Sequence, residues 1–408
     1  MDVCSQVKRI DVVVRGVPSQ SIGASRVIFF QYIKSLVETG YKVRCIIFLS
    51  CGQESDYALF CKEIEKTGPI SVCFIQCQVP IISSGRFSVR VDESLSFRFR
   101  TLLFEDIADL LLLLDISVAA IAPRDFPNQK IVWVGDLGSE VNWYDGILVL
   151  KRNFALGFIK MISVLVRGYF WKKIYKSSLK SADRIVACSY SSIKPLKRIG
   201  IDAMFLPYPW PSQGRLDVDI RRKEPEKPTF LMFGNLKGLG WRSQWDFLFN
   251  DLLPKLRETF GNQGFKIDIG GIEDAPSWLV SRLMPIEEIE FHGFIPNLLE
   301  QMSKSHAVIV PLGVPVGNRS RIITALGGRI PVIAHKNAAA GNPLLINGLN
   351  CLLADSAQEF VHHMSTISRD KKLSKRLIEN AEISYVSSFS PRNANQLFLN
   401  LINAQLYE

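Results

Sequence analysis

Short apolar runs rich in Val, Ile and Leu recur along this chain, and the residues between them switch to helical spacing or turn chemistry. Arg9–Val14 is the first such run. After the loop 15–23, apolar positions at Val27, Phe30, Ile33, Leu36 and Val37 fall on one helical face, and Gly40 stops that helix before a second strand at Lys42–Phe48. This β-α-β opening lacks G-x-G-x-x-G, so no dinucleotide fingerprint is present. Residues 49–100 predict a strand near Ile70–Gln76 and a Ser/Arg-rich insertion at Ser83–Arg100, placed over one face as a loop that could contact an acceptor. Phe104–Leu114 is expected as a helix, with strands at Ile116–Ile121, Lys130–Val134 and Asp183–Ser189 and a helix at Ser191–Arg198.

Prolines and charges interrupt the periodicity at Phe205–Pro211 and through Lys227, which places a linker at 209–227 between domains 1–208 and 228–390. The second domain opens on a strand at Thr229–Phe233, then a glycine-containing loop and a helix through Trp245, Phe249, Leu252 and Leu256. Strands follow at Lys266–Gly270 and Ile289–Phe291, and Leu298–Met302 has the spacing of core packing. Ala307–Leu312, Pro331–Ala334 and Cys351–Leu353 are further strands. Helices are expected at Ala357–Ile367, Lys371–Ser384 and Arg392–Leu406, the last as a separate segment, 391–408.

Between Leu312 and Pro331 a loop with Gly313, Pro315 and Gly317 feeds a helix whose opening turn, Asn318, Arg319, Ser320 and Arg321, combines a capping residue, a hydroxyl and two arginines. A helix start offers free N–H groups and partial positive charge, and guanidiniums add bidentate recognition, so this turn suits phosphate. An ordinary crossover with arginines facing water has the same pattern. In the loop after Phe233, the glycines around Gly234 and Asn235 let backbone approach a ligand, and Lys237 and Arg242 supply charge for a diphosphate.

Composition narrows the class. Of 408 residues, 47% are hydrophobic and 22% charged, which fits a globular chain of two domains. The N-terminus lacks the ordered regions of a signal peptide, and Leu110–Leu114 is too short to span a bilayer, so a cytoplasmic chain is expected. Eight scattered cysteines without metal-ligand spacing suggest buried thiols. The net charge of +10 suits an anionic partner. Between Lys151 and Ala182 there are eight basic residues and no acidic one, interleaved with Phe154, Phe158, Ile162, Tyr169 and Trp171. Such a segment suits an anionic membrane surface through 151–180, and equally a core helix with a solvated basic face. No nucleic-acid motif accompanies it.

The ordered set Pro311-Leu312, Gly317-x-Arg319-x-Arg321, Ala325, Gly328, Pro331-Val332-Ile333, Gly341 and Gly348-x-Asn350, with "HGF" at His292–Phe294, resembles the nucleotide-sugar half of retaining GT-B glycosyltransferases of the bacterial family-four type. The first β-loop-helix, with Gly23, resembles the opening of their N-terminal domain. The resemblance implies an α/β chain of two Rossmann-like domains facing a cleft, with a C-terminal helix crossing back. It implies sugar transfer with retention from a nucleotide sugar to the hydroxyl of a glycan or lipid-linked acceptor, in polysaccharide or glycoconjugate assembly. Neither cofactor nor metal is expected. Gly234, Asn235, Lys237, Arg242 and Asn318–Arg321 would hold the donor diphosphate, and Gly23 and Thr324 its sugar or ribose.

Two departures stand out. In the family the strand ending at Val134 leads into a His-Asp pair, whereas here Gly135 precedes Asp136, and all five histidines lie beyond residue 290. That leaves Asp136 and Glu140 as the acidic groups there. The family's acid after the phosphate turn is replaced by Thr324, and the acid eight residues earlier by Val316. A catalytically degenerate GT-B partner is therefore the alternative reading, and a peripheral position on the inner membrane face accompanies the enzymatic one.

Overall fold

The computed structural model describes residues 8–212, 214–216, 225–234, 239–271 and 276–407. The chain divides into two compact units, Met1–Pro209 with Pro391–Glu408, and Trp210–Ser390. Trp210, Arg215 and Leu216, inside the expected linker, are bonded within the second unit: Trp210 N–H donates to Phe389 O at 2.8 Å, and Arg215 pairs with Glu382.

In the first unit, strands β1 (Arg9–Arg15), β2 (Lys42–Ser50), β3 (Ile70–Cys77), β6 (Leu110–Leu114), β7 (Gln129–Val134), β8 (Arg184–Ala187) and β9 (Met204–Phe205) form a parallel seven-stranded sheet, ordered β3-β2-β1-β6-β7-β8-β9. A separate hairpin pairs β4 (Ile82–Ser84) with β5 (Val89–Val91). In the second unit, β10 (Thr229–Phe233), β11 (Lys266–Gly271), β12 (Ile289–Phe294), β13 (Ala307–Val310), β14 (Val332–His335) and β15 (Leu352–Ala354) form a parallel sheet ordered β12-β11-β10-β13-β14-β15. Helices used below are α1 (Ala24–Glu38), α2 (Gly138–Arg152), α3 (Phe154–Leu179), α4 (Leu239–Phe247), α5 (Ser320–Gly327) and α6 (Pro391–Tyr407).

Each unit has its own apolar core, around Val13, Ile46, Leu113 and Val132 in the first and Met232, Ile267, Ile309 and Ile333 in the second. Two expectations fail here. Leu110–Leu114 is a strand, not the end of a helix, and Ile116–Ile121 is a helix, not a strand. All five leucines of β6 are buried, because a central parallel strand is covered on both faces and loses the alternation that marks half-exposed strands. Asp115 starts the following helix by accepting from Ser117 N–H at 2.7 Å. The C-terminal helix α6 packs on the first unit: Phe398 stacks on Tyr32 with ring centroids 4.1 Å apart, and Tyr41 bonds Asn403.

Helices α2 and α3 run antiparallel, joined at Asn153, whose side chain caps α3 by accepting from Leu156 N–H at 3.0 Å. Three glycines set their closeness. A Cβ on Gly138 would lie 2.4 Å from the Trp171 ring, one on Gly146 2.6 Å from Met161 Sδ, and one on Gly157 2.1 Å from Leu150 Cα. The last contact is with backbone, which cannot step aside. Gly157→Ala should therefore lower thermal stability by roughly 1–3 kcal/mol or more through overpacking. Gly168→Ala in the same helix meets nothing within 4 Å and should raise it by up to about 1 kcal/mol through helix propensity. Paired melting curves of the two variants test the crossing; a Gly157→Ala protein as stable as wild type would show that the helices are not in contact there.

Candidate functional site

Ligands of parallel α/β sheets sit beyond the carboxyl ends of the strands, at the point where strand order reverses. In the second unit that point lies between β10 and β13, and the residues after both strands are the ones singled out for phosphate. Asn235 and Lys237 lie outside the described residues, so the β10 loop is represented by Gly234 and by the start of α4.

Gly234 has φ of 127°, a conformation closed to ordinary L residues, and a Cβ there would sit 3.4 Å from Cζ of Arg321. A Cβ on Gly240, in the first turn of α4, would lie 3.5 Å from Nη1 of Arg319 and 2.9 Å from Leu312. The absence of two side chains thus lets the β10 end and α4 close on both guanidiniums. Arg319 is the residue flanking α5, and it donates to Val316 O. Asn318 therefore lies one residue before the helix cap, Ser320 is the first helical residue, and Arg242 stands in α4.

Arg321 donates from Nη1 to Oε1 of Gln244 at 3.2 Å. That bond fixes the amide's orientation, and Gln244, fully buried, has no partner for Nε2 among the described residues. Burial and the neighbouring Arg319 charge push the Arg321 guanidinium down to about 9, far below the usual arginine range. Two half-buried like charges and an unsatisfied amide donor concentrate hydrogen-bond donors and positive charge here. An anion is the ligand that removes both penalties. Gln244 was not marked by the sequence reading; its signal is its position one helical turn after Gly240.

Thr324 does not point a spare hydroxyl at this site. Its Oγ1 accepts from the Trp210 indole at 2.8 Å and donates to Ser320 O at 3.0 Å, so a donor ribose would compete with Trp210. Burial pushes His335, at the end of β14, below its usual value, and its neutral Nδ1 accepts from Asn337 N–H at 3.1 Å. Asn337 in turn donates to Gly313 O at 2.7 Å and holds the β13 loop. The group able to gather around a cation, Asp268, Glu290 and His292, lies within β11 and β12 and is bridged by the Lys266 ammonium, 3.0 Å from Asp268 and 2.5 Å from Glu290.

In the first unit the order reverses between β1 and β6. The β1 loop is held by Arg26, which donates to Val17 O at 2.5 Å and to Asp56 at 2.7 Å. Gly23, with φ of 76°, precedes α1. Beyond β7, Asp136 lies near Cys188, whose thiol is raised by burial first and by the Asp136 and Asp115 charges next. Glu140 is in the first turn of α2, half-buried, its carboxyl raised by burial and partly restored by Arg198. Asp115 follows β6 directly. It has φ of 145° and ψ of 147°, a region nearly restricted to glycine, where strain of about 1–3 kcal/mol must be held by the surroundings.

Residues 227–370 match the family model described as "Glycosyl transferases group 1". No curated protein matches the chain. Solved structures similar to it over nearly the full length include a glycosyltransferase from Rickettsia africae ESF-5, 14% identical with a TM-score of 0.68, covering 99% of this chain and 100% of that one. Anabaena Alr3699/HepE, in complex with UDP and glucose, is 15% identical with a TM-score of 0.65, covering 97% and 100%. Sucrose-phosphate synthase from Thermosynechococcus elongatus is 15% identical with a TM-score of 0.64, covering 97% and 100%.

Inorganic pyrophosphate tests this site directly. It should raise the melting temperature of the wild type, by the equivalent of about 2.7 kcal/mol at a hundredfold excess over its dissociation constant, and leave Arg321→Met unmoved. An equal shift in both proteins would place the anion elsewhere. The chain thus has the GT-B fold of two Rossmann-like units, and its segment 227–370 carries the glycosyl transferases group 1 match.

Proposed function

We propose that the protein is a glycosyltransferase that moves a sugar from a nucleotide-sugar donor to an acceptor hydroxyl with retention at the anomeric carbon. The observation that carries this reading is the half-buried pair Arg319 and Arg321, with Gln244, closed over by Gly234 and Gly240 at the strand-order reversal of the unit that matches the family model. These groups would bind the donor diphosphate and neutralise the charge that develops as it leaves, so the proposal needs no metal. Lys237 and Asn235 complete the loop in this reading, and Ser320, Asn318 and Arg242 border it. HepE, with its UDP and glucose, supports a uridine nucleotide and a hexose as first probes.

The acceptor is a glycan or lipid-linked sugar of polysaccharide or glycoconjugate assembly, met on the cytoplasmic side. On the first unit, Asp136 and Glu140 serve to position a hydroxyl. Glu140, raised by burial, holds its proton to higher pH than an exposed glutamate, so it suits hydrogen-bond donation better than charge. A retaining reaction lets the departing diphosphate take the acceptor proton, so the glycine before Asp136 is compatible with turnover.

Arg319→Ala should weaken nucleoside diphosphate binding by roughly 1.5–3 kcal/mol, measured by calorimetry. Unchanged affinity in a folded variant would sink the assignment. Asp136→Asn should lower turnover more than it lowers nucleotide affinity. A wild-type protein that binds nucleotide sugars yet neither transfers nor hydrolyses any of them would instead be a GT-B protein that has lost catalysis and acts as a binding or assembly partner.

A further inference from the structure

Helix α3 has 26 residues and is apolar enough, by length and composition, to cross a membrane. Its two halves live differently. Trp171, Ile174, Tyr175 and Leu179 are buried in the core of the first unit. The preceding stretch, from Phe154 to Tyr169, leaves large apolar side chains in water: Phe154 is 77% exposed, Leu165 62% and Phe158 58%. At 1.5 Å per residue that stretch is about 24 Å long, short of the ~30 Å hydrocarbon core, and Lys160 and Arg167 lie within it. It is therefore unsuited to spanning a bilayer and suited to lying against one.

The exposed stripe of the helix is ordered along its length. Phe158, Ile162, Leu165 and Tyr169 follow one another at helical spacing, and the same line continues as exposed Lys172, half-buried Lys176 and, at the C-cap, exposed Lys180. Lys173 lies over the Tyr169 ring, its Nζ 4.6 Å from the centroid. Lys173, Lys176 and Lys180 border an open groove of about 540 Å³ against Val89 and Val91 of β5, with Glu93 at its edge. The hairpin β4-β5 is tied to the same helix: Ser163 donates to Arg86 O, and Arg167 reaches Ser84 Oγ at 3.5 Å. Phe87, also exposed, extends the apolar surface beside the Arg86 guanidinium.

We propose that the exposed stripe of α3, with the β4-β5 hairpin, docks on an anionic lipid surface, the apolar half seated at the acyl boundary and the lysine half among the head groups. Charge complementarity chooses this occupant. A second copy of the chain would bring lysines to lysines in a parallel pairing and lysines to apolar side chains in an antiparallel one, and neither supplies counter-charge. An anionic interface supplies both an apolar layer and negative charge, in the same order along the helix. The inference is independent of the donor site and does not need the glycosyltransferase reading.

Co-sedimentation of the full chain with vesicles tests it. Wild type should pellet with phosphatidylcholine vesicles containing phosphatidylglycerol, bind much less to phosphatidylcholine alone, and be released as salt rises. Replacing Lys172, Lys176 and Lys180 by Gln should reduce partitioning on the order of a hundredfold, at about 1 kcal/mol per charge. Phe158→Ser, Ile162→Ser and Leu165→Ser together should abolish it while pyrophosphate still stabilises the protein. Salt release of the wild type requires no variant, so the test survives a variant that fails to fold. Equal binding to neutral and anionic vesicles, or no binding, overturns the proposal. So does a dimer in sedimentation equilibrium that the serine variant dissolves, which would assign the face to a second copy.

Discussion

Two half-buried guanidiniums at the start of one helix shape the elements packed around them in the second unit. Burial disfavours the charge on Arg321, and the neighbouring Arg319 charge lowers it further. Gly234 and Gly240 carry no side chain where the guanidiniums pass, and Gln244 offers its amide oxygen to Arg321. The position of α5 is fixed from behind, where Thr324 accepts the Trp210 indole and Tyr385 donates to Trp210 O at 2.7 Å. Stability lost in such a cluster would be regained on binding an anion.

The same layout explains what could be read from the sequence. Short β-branched runs bounded by turn residues announced themselves, as at Arg9–Arg15, followed by Gly16, and the arginines of α5 could be placed at a strand's carboxyl end because the β13 run and its turn residues are local signals. Leu110–Leu114 could not be placed in the same way. With both faces buried it carries no period, and a five-leucine run is as consistent with a core helix as with a strand until Asp115 is recognised as the cap of the next element. Gln244 was invisible for a related reason: its role depends on Arg321, 77 residues away, and on two glycines whose missing Cβ atoms matter only once the elements are packed.

The basic segment 151–182 shows how composition alone leaves a question that packing divides. Packing divides α3: its C-terminal half is a core helix through Trp171 and Tyr175, and its N-terminal half presents an apolar face to solvent. Antiparallel packing on α2 fixes which side chains turn outward. Gly138, Gly146 and Gly157 permit that crossing and leave no room for rotation about the helix axis that would hide Phe158 or Leu165.

Thr324 illustrates how a departure from a family pattern acquires meaning from its contacts. A carboxylate at this position would meet the Trp210 indole N–H, whereas the threonine hydroxyl accepts from that group and gives its own proton to Ser320 O. The position has thus become part of the packing that holds α5 to the segment where the chain enters the second unit. The Gln244 amide, bonded to Arg321 through its oxygen and buried, leaves Nε2 with no partner among the described residues.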